Sequence, residues 1–133
     1  MTVRPAFAWA ALYFLAPSET AAATSPHDPP HVIAVSPASG SSIAAGQFTL
    51  RITFDREMRR DSYSLATDGE ADFPSCAMPP RTSADGRTFE FDCKAGTGRS
   101  YEIWINRAPY MNFKSAAAQE PATPHRLSFR TGK

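Results

Sequence analysis

Three histidines are the side chains in this chain best suited to bind a metal ion. His27 and His31 lie near the start of the chain, and His125 lies near its end. Imidazole nitrogens are good ligands for copper and zinc, so two or three that converge in space would form a site. No spaced ligand motif connects these histidines, which makes ordinary surface histidines the simpler interpretation.

Other residues that could do chemistry are not arranged for it. Asp68, Glu70 and Asp72 offer the carboxylate oxygens that calcium prefers, but they lack the spacing and turn glycine of an EF-hand loop. A solvated loop is therefore expected there. No serine lies in a Gly-x-Ser-x-Gly elbow, and the sequence has no glycine-rich phosphate loop. We expect no catalytic site and no cofactor.

Trp104 is the residue best suited to contact a partner. Strand alternation places it on the face shared with Glu102 and Asn106, opposite an apolar face. An aromatic ring there could anchor a partner or stack against a sugar. Alternatively, the long segment that follows folds over the ring with Tyr110 and Phe113. Trp104, Tyr110 and Phe113 are the candidate binding residues.

Alternating apolar and polar side chains indicate the strands that must position these residues. The most regular run is 47–54, where residues 48, 50, 52 and 54 are all apolar. Six further runs are weaker or shorter: 31–36, 62–66, 73–76, 88–93, 100–106 and 126–131. Asp85-Gly86 marks a tight turn, and residues 107–125 read as an irregular loop. The pattern predicts an all-β, immunoglobulin-like β-sandwich of about seven strands.

The first 23 residues have the layout of a secretory signal peptide. Arg4 precedes an apolar stretch from residue 5 to 16, and Ala21-Ala-Ala23 supplies small residues for cleavage. A buried helix or a signal anchor is the alternative. The stretch is too short to span a bilayer, so no stable membrane span is expected after cleavage. We expect a flexible leader at 24–30, one domain at 31–133, and a periplasmic or extracellular location.

Charge and cysteine content narrow the possible environments. The chain has 14 basic and 13 acidic side chains and a net charge of +1. This mixed-sign balance gives no electrostatic footprint for nucleic acid, so no nucleic-acid partner is expected. Cys76 and Cys93 are the two cysteines. In an exported chain they are expected to form one disulfide, with two separate buried thiols as the alternative.

The stretch 32–58 resembles the opening of bacterial Ig-like domains of the S-layer-protein type. It has an apolar strand, a Ser-Pro-Ala-x-Gly turn, and a strand that ends Thr-Phe-Asp before a methionine. Later pieces of the family pattern agree with it: Asp-Gly-Arg-Thr at 85–88, Tyr-x-Ile-Trp-Ile-Asn at 101–106, Asn-Phe-Lys at 112–114 and Phe-Arg-Thr at 129–131. The resemblance covers residues 31–131. It implies a non-catalytic module that mediates interactions with an unknown protein or cell-envelope component.

A second resemblance is to periplasmic copper-carrier domains of the CopC type. It rests on His31 and on the Val-Ser-Pro-Ala-Ser-Gly-Ser run at 35–41. Those carriers use a histidine at the mature N-terminus and an Asp-x-His pair near the end. Here residues 122–125 read Ala-Thr-Pro-His, with no aspartate two residues before His125. The alternative function implied is a small copper-binding carrier with His31 and His125 as ligands.

Overall fold

The computed structural model describes Ser25 and residues 27–69 and 71–133. The predicted signal peptide, residues 1–23, lies outside the described residues. The described part folds as two β-sheets around one apolar core, which confirms the predicted all-β sandwich. Its strands in chain order are β1 (Val32–Ser36), β2 (Ser42–Ile43), β3 (Gly46–Phe54), β4 (Leu65–Ala66), β5 (Ser75–Cys76), β6 (Arg81–Thr82), β7 (Thr88–Ala95), β8 (Ser100–Ile105) and β9 (His125–Thr131).

The five-stranded sheet is built around β3 and β7. These antiparallel strands pair continuously from Gly46 opposite Ala95 to Thr53 opposite Thr88. β1 pairs with β3, while β5 and β6 both pair with β7. The chain between β5 and β6 contains Pro79-Pro80, which cannot donate to a ladder, so both short strands remain at the edge.

The four-stranded sheet has the order β2, β9, β8, β4. β8 and β9 are antiparallel, and their register places Trp104 opposite Arg126. Residues 37–41 carry the chain from β1 in one sheet to β2 in the other. Within this crossing Gly40 has a φ of 81°, and its N–H donates to the Ser128 carbonyl at 2.6 Å. That φ favours glycine, which explains the residue at position 40. The Ser-Pro-Ala-Ser-Gly motif is thus the turn that links the two sheets.

The core lies between the sheets and is made by the predicted apolar faces. Its fully buried side chains come from both sheets and from two connecting segments: Leu50, Ile52, Phe54, Met58, Phe89, Phe91, Ile103, Ile105, Phe113 and Leu127. Phe113 packs at ring-centroid distances of 5.1 Å from Phe54 and 5.2 Å from Phe89. Tilted and edge-on aromatic contacts of this kind add specific packing to the area that is buried.

Asn106 departs from the predicted alternation. β8 ends at Ile105, and Asn106 has a φ of 61° and is fully buried, so the prediction that it faces outward with Trp104 was wrong. Its amide nitrogen donates to the carbonyls of Phe113 and Ala122 at 2.9 and 3.0 Å, and its amide oxygen accepts from the Phe113 N–H at 2.9 Å. One buried side chain thereby holds the irregular segment before β9 against the sandwich.

The two strands that the sequence did not predict are among the four shortest. β2 and β6 contain two residues each, which is too few for a visible alternation. The five longest strands were all predicted within two residues of their observed ends. Before β1, the Arg56 guanidinium donates to the Asp28 carbonyl, and the Thr123 N–H donates to the Pro30 carbonyl at 2.9 Å. The flexible leader at 24–30 stays a prediction.

Candidate functional site

Trp104 lies on the outer face of the four-stranded sheet, one residue before the end of β8. It is half-buried, and it pairs with Ala66 of β4 on one side and Arg126 of β9 on the other. Its indole Nε1 donates to Glu102 Oε1 at 2.8 Å. The ring is therefore held in one orientation by a hydrogen bond from its polar end.

Glu102 is the buried anchor beneath this surface. Its side chain is only 5% exposed, and Arg126 Nε donates to its second oxygen at 2.6 Å. A carboxylate so removed from water needs such charged and polar partners. Arg126 itself is 58% exposed, so its positive charge faces solvent while its counter-ion lies below it.

Arg107 covers part of the indole ring. Its guanidinium carbon lies 4.9 Å from the centroid of the Trp104 ring, which is the geometry of a cation–π contact. Arg107 reaches this position from a tight turn in which its N–H donates to the Tyr110 carbonyl at 3.0 Å and its carbonyl accepts from the Tyr110 N–H at 2.6 Å. The segment 107–125 therefore contacts the Trp104 ring through Arg107, whereas the sequence suggested Tyr110 and Phe113.

The two other candidate binding residues lie apart from the ring. Tyr110 is 60% exposed at the tip of the Arg107 turn. Phe113 is fully buried in the core, so in this structure it contributes packing and offers no contact surface. Of the three candidates, Trp104 and Tyr110 therefore remain as surface residues.

The same sheet face continues along β9 through Ser128 to Arg130. Arg130 is exposed, and its guanidinium makes no hydrogen bond or ion pair with the described residues. A recess of about 180 Å³ lies on this face, and its lining includes Gly40, Ala71, Glu102, Ser128 and Arg130. We call the surface of Glu102, Trp104, Arg107, Arg126, Ser128 and Arg130 the Arg/Trp face.

Sequence reasoning identified one aromatic residue of the Arg/Trp face but not its cations. Alternation placed Arg126 and Arg130 outward, yet nothing in the sequence placed them beside Trp104. That neighbourhood depends on the β8–β9 register, in which Trp104 lies opposite Arg126. An opposite-strand pairing of this kind can be read only when the register is known.

The histidines of the copper-carrier alternative occupy ordinary strand-end positions. His31 is exposed, and its backbone carbonyl accepts from the Asp55 N–H at 2.9 Å. His125 opens β9 and is half-buried, and this burial lowers the pKa of its imidazole. His27 lies 3.8 Å from Glu120. Among the described residues, no group of three or more histidine, cysteine, aspartate or glutamate side chains could hold a metal ion.

The acidic segment at 68–72 also contributes to local structure. Asp72 lies 3.5 Å from Arg99 as an ion pair, and its backbone pairs with the edge of β8. Glu70 lies outside the described residues. Carboxylates paired in this way belong to a surface loop, which agrees with the solvated loop expected from the sequence.

The predicted disulfide is confirmed. Cys76 of β5 and Cys93 of β7 are directly opposite each other, with a Cα–Cα distance of 4.0 Å, and their sulfurs are bonded. The bond joins an edge strand to the centre of the five-stranded sheet, on the side of the sandwich away from Trp104.

Comparison with known families agrees with this architecture. A model of the bacterial Ig-like domain matches residues 26–131 of the chain, which is most of its length. No curated protein matches it. Within the described residues there is no helix long and apolar enough to cross a membrane. Two packed sheets, the sheet-crossing turn at 37–41 and the family match together show that the chain belongs to the bacterial Ig-like domain family.

Proposed function

We propose that this chain is a secreted or periplasmic, non-catalytic Ig-like module that mediates protein or cell-envelope interactions. Family membership supports the non-catalytic role, because bacterial Ig-like domains are generally non-catalytic and often extracellular. The signal-peptide pattern of residues 1–23 supports the location. The motifs at 32–58 support the finer assignment to domains of the S-layer-protein type.

The observation that carries the proposal is the Arg/Trp face. It presents a half-buried tryptophan that a buried carboxylate holds in place, with exposed guanidinium groups beside it. Tryptophan and arginine are the residue types most enriched at the energetic centres of interfaces. Because Trp104 and Arg126 are held by Glu102, little of their side-chain entropy would be lost when a partner binds.

Export is tested on the full chain with a C-terminal tag in a bacterial host. The expected product is found outside the cytoplasm and begins at Thr24, since Ala21-Ala-Ala23 supplies the cleavage position. N-terminal sequencing and cell fractionation measure both. A product that retains Met1 and stays in the cytoplasm would contradict the proposed location.

Interaction is tested by sedimentation of the purified exported protein with washed cell envelopes. The proposal predicts saturable retention in the pellet, competed by an excess of unlabelled protein. A reduced and unfolded sample of the same protein serves as the control for non-specific sticking. Recovery of the folded protein entirely in the supernatant at every envelope concentration would contradict the proposal.

A further inference from the structure

We propose that the Arg/Trp face binds a carboxylate-bearing polysaccharide. The inference rests on the proposed envelope-interaction function and names the class of ligand for it. Charge, spacing and surface composition each support this choice.

The charged groups that the Arg/Trp face exposes to a ligand are positive. Arg107, Arg126 and Arg130 direct three guanidinium groups to this surface, whereas Glu102 is the one carboxylate among its six residues. Glu102 is 5% exposed and accepts hydrogen bonds from two of its neighbours. Asp72, whose backbone pairs with β8 at Tyr101, forms an ion pair with Arg99. An approaching anion therefore meets guanidinium groups rather than carboxylates.

Guanidinium groups favour a ligand with planar anionic groups. Each presents a fork of N–H donors that matches the two oxygens of a carboxylate. The Arg130 guanidinium has no partner among the described residues, so it loses no internal ion pair when it binds. Arg126 is bonded to Glu102 through Nε and Nη2, and more than half of its side chain remains exposed.

The spacing of the cations favours a polymer over a single sugar. Arg126 and Arg130 lie on the same face of β9, four residues apart. At the rise of an antiparallel strand this separates their Cα atoms by about 13 Å. A ligand that contacts both must therefore be extended over that distance.

The remaining residues favour a glycan over an acidic polypeptide. Protein interfaces have an apolar centre, but the outward residues of β8 and β9 other than Trp104 are Ser100, Glu102, Arg126, Ser128 and Arg130. Serine hydroxyls both donate and accept hydrogen bonds, as sugar hydroxyls require. The exposed part of the indole offers one apolar surface against which the C–H face of a sugar ring can pack. A polar sheet face with one aromatic residue suits a polyhydroxylated chain.

The test titrates the purified exported protein with polygalacturonate by calorimetry at low ionic strength. Fully methyl-esterified polygalacturonate is the matched polymer without charge, and polyglutamate is the matched acidic polypeptide. We expect saturable binding of polygalacturonate that weakens with added salt, because screening acts on exposed charges. No binding of the methyl ester and weaker binding of polyglutamate are expected. Absent polygalacturonate binding, or equal affinity for the ester or for polyglutamate, would overturn the proposal.

The position of the site is tested by two variants with the same change in charge. Arg130→Gln removes a cation from the Arg/Trp face, and Arg51→Gln removes one from the outer face of the other sheet. Loss of a charge-assisted contact predicts about ten-fold weaker binding for Arg130→Gln and less than about two-fold for Arg51→Gln. Both side chains are exposed, so both variants should unfold within about 2 °C of the parent. Equal weakening by both variants would contradict the site.

Failure of this inference is distinguishable from failure of the proposed function. If the protein sediments with envelopes but does not bind polygalacturonate, the ligand class is wrong and the interaction module stands. If Arg130→Gln sediments as well as the parent does, the Arg/Trp face is not the binding site, and the proposed interaction function still stands. If the parent protein does not sediment at all, the proposed function itself is contradicted.

Discussion

The outer faces of the two sheets differ in where their carboxylates lie: exposed on the five-stranded sheet and buried on the four-stranded sheet. On the five-stranded sheet, Arg81 donates two hydrogen bonds to Asp92 at 2.6 and 3.0 Å and one to Glu90 at 3.3 Å. Arg51 lies 3.9 Å from the same Glu90. Both carboxylates are exposed, at 38% and 64% of their side chains. In the strands of the four-stranded sheet the single carboxylate, Glu102, is buried, and the guanidinium groups of Arg126 and Arg130 face outward.

The difference shows how the placement of a carboxylate changes the surface that a sheet presents. Exposed ion pairs contribute little stability, but they neutralise one another and leave a well-solvated face. A buried carboxylate instead orients its partners and leaves their outer sides free. Because Glu102 fixes both Trp104 and Arg126, the four-stranded sheet presents a preorganised surface, and the five-stranded sheet does not.

The largest expected effect concerns the five-stranded sheet. The disulfide joins residues 17 apart, and its removal should lower the free energy of unfolding by about 3 kcal/mol. Chemical denaturation of the protein with and without reductant measures this. Reduction in the native state should leave ligand binding on the opposite sheet unchanged. Loss of that binding, with the fold intact, would contradict the independence of the two faces.

The next effect compares the two carboxylates directly. Glu102→Ala removes hydrogen bonds from an indole and a guanidinium, so it should cost about 2 kcal/mol of stability. The matched variant Glu90→Ala removes only exposed ion pairs and should cost less than about 0.5 kcal/mol. Urea unfolding curves of both variants provide the measurement. Equal costs would show that Glu102 is no more important than a surface carboxylate.

A smaller effect is expected from the cation above the indole. Arg107→Gln removes a partly exposed cation–π contact and should cost about 0.5 kcal/mol. It should also change the fluorescence of Trp104, which is the sole tryptophan once residues 1–23 are removed. Arg51→Gln, on the other sheet, is the matched control and should leave the emission spectrum unchanged. Identical spectra for Arg107→Gln and the parent would argue against the contact.

The smallest effects are in pH dependence, and they differ between the sheets. Burial lowers the pKa of His125 from its usual 6.5, so the folded state favours the neutral ring. The free energy of unfolding therefore carries no penalty from His125 above pH 6.5, and it decreases as the pH falls from 6.5 through the lowered pKa of the folded state. His125→Gln should flatten this part of a stability profile. An unchanged slope between pH 7 and pH 5, about the range in which histidine titrates, would refute the assignment.

Asp92 on the five-stranded sheet titrates in a lower range. A hydrogen bond from Arg81 lowers its pKa below the usual 3.8. The stability it contributes is therefore present above pH 3.8 and is lost as the pH falls through the lowered pKa. Asp92→Asn should reduce the stability loss in this acidic range and leave the profile near pH 6 unaffected. A change near pH 6 instead would contradict the assignment of that region to His125.

Most of the fold could be predicted because alternation is a local signal. Strand β3 buries its even-numbered apolar residues, and the opposite faces of β3, β7 and β9 are polar, as their sequences indicate. The disulfide followed from cysteine number and an export pattern. The inward turn of Asn106 could not be predicted, because a positive φ interrupts the alternation at the end of β8. Phe113 lies in a segment without strand alternation; the sequence suggested that it packs over Trp104, but not that it enters the core between the sheets.

The Arg/Trp face could be predicted only in part for a related reason. Its members come from two strands and a turn, and the register between β8 and β9 decides which of them are neighbours. Arg107 reaches Trp104 through a turn closed by Tyr110, and that turn has no strong sequence signature. Local patterns thus predicted which residues face outward, while tertiary pairing determined which of them form a surface.

Arginine footprinting tests the central claim most directly, because it does not require the partner to be identified. The purified exported protein is treated with phenylglyoxal, free or bound to washed envelopes, and modification of each arginine is followed by mass spectrometry. We predict that envelope binding slows modification of Arg107, Arg126 and Arg130, while Arg51 and Arg81 react as in the free protein. Protection of Arg51 and Arg81 with unchanged reactivity of the other three would contradict the account.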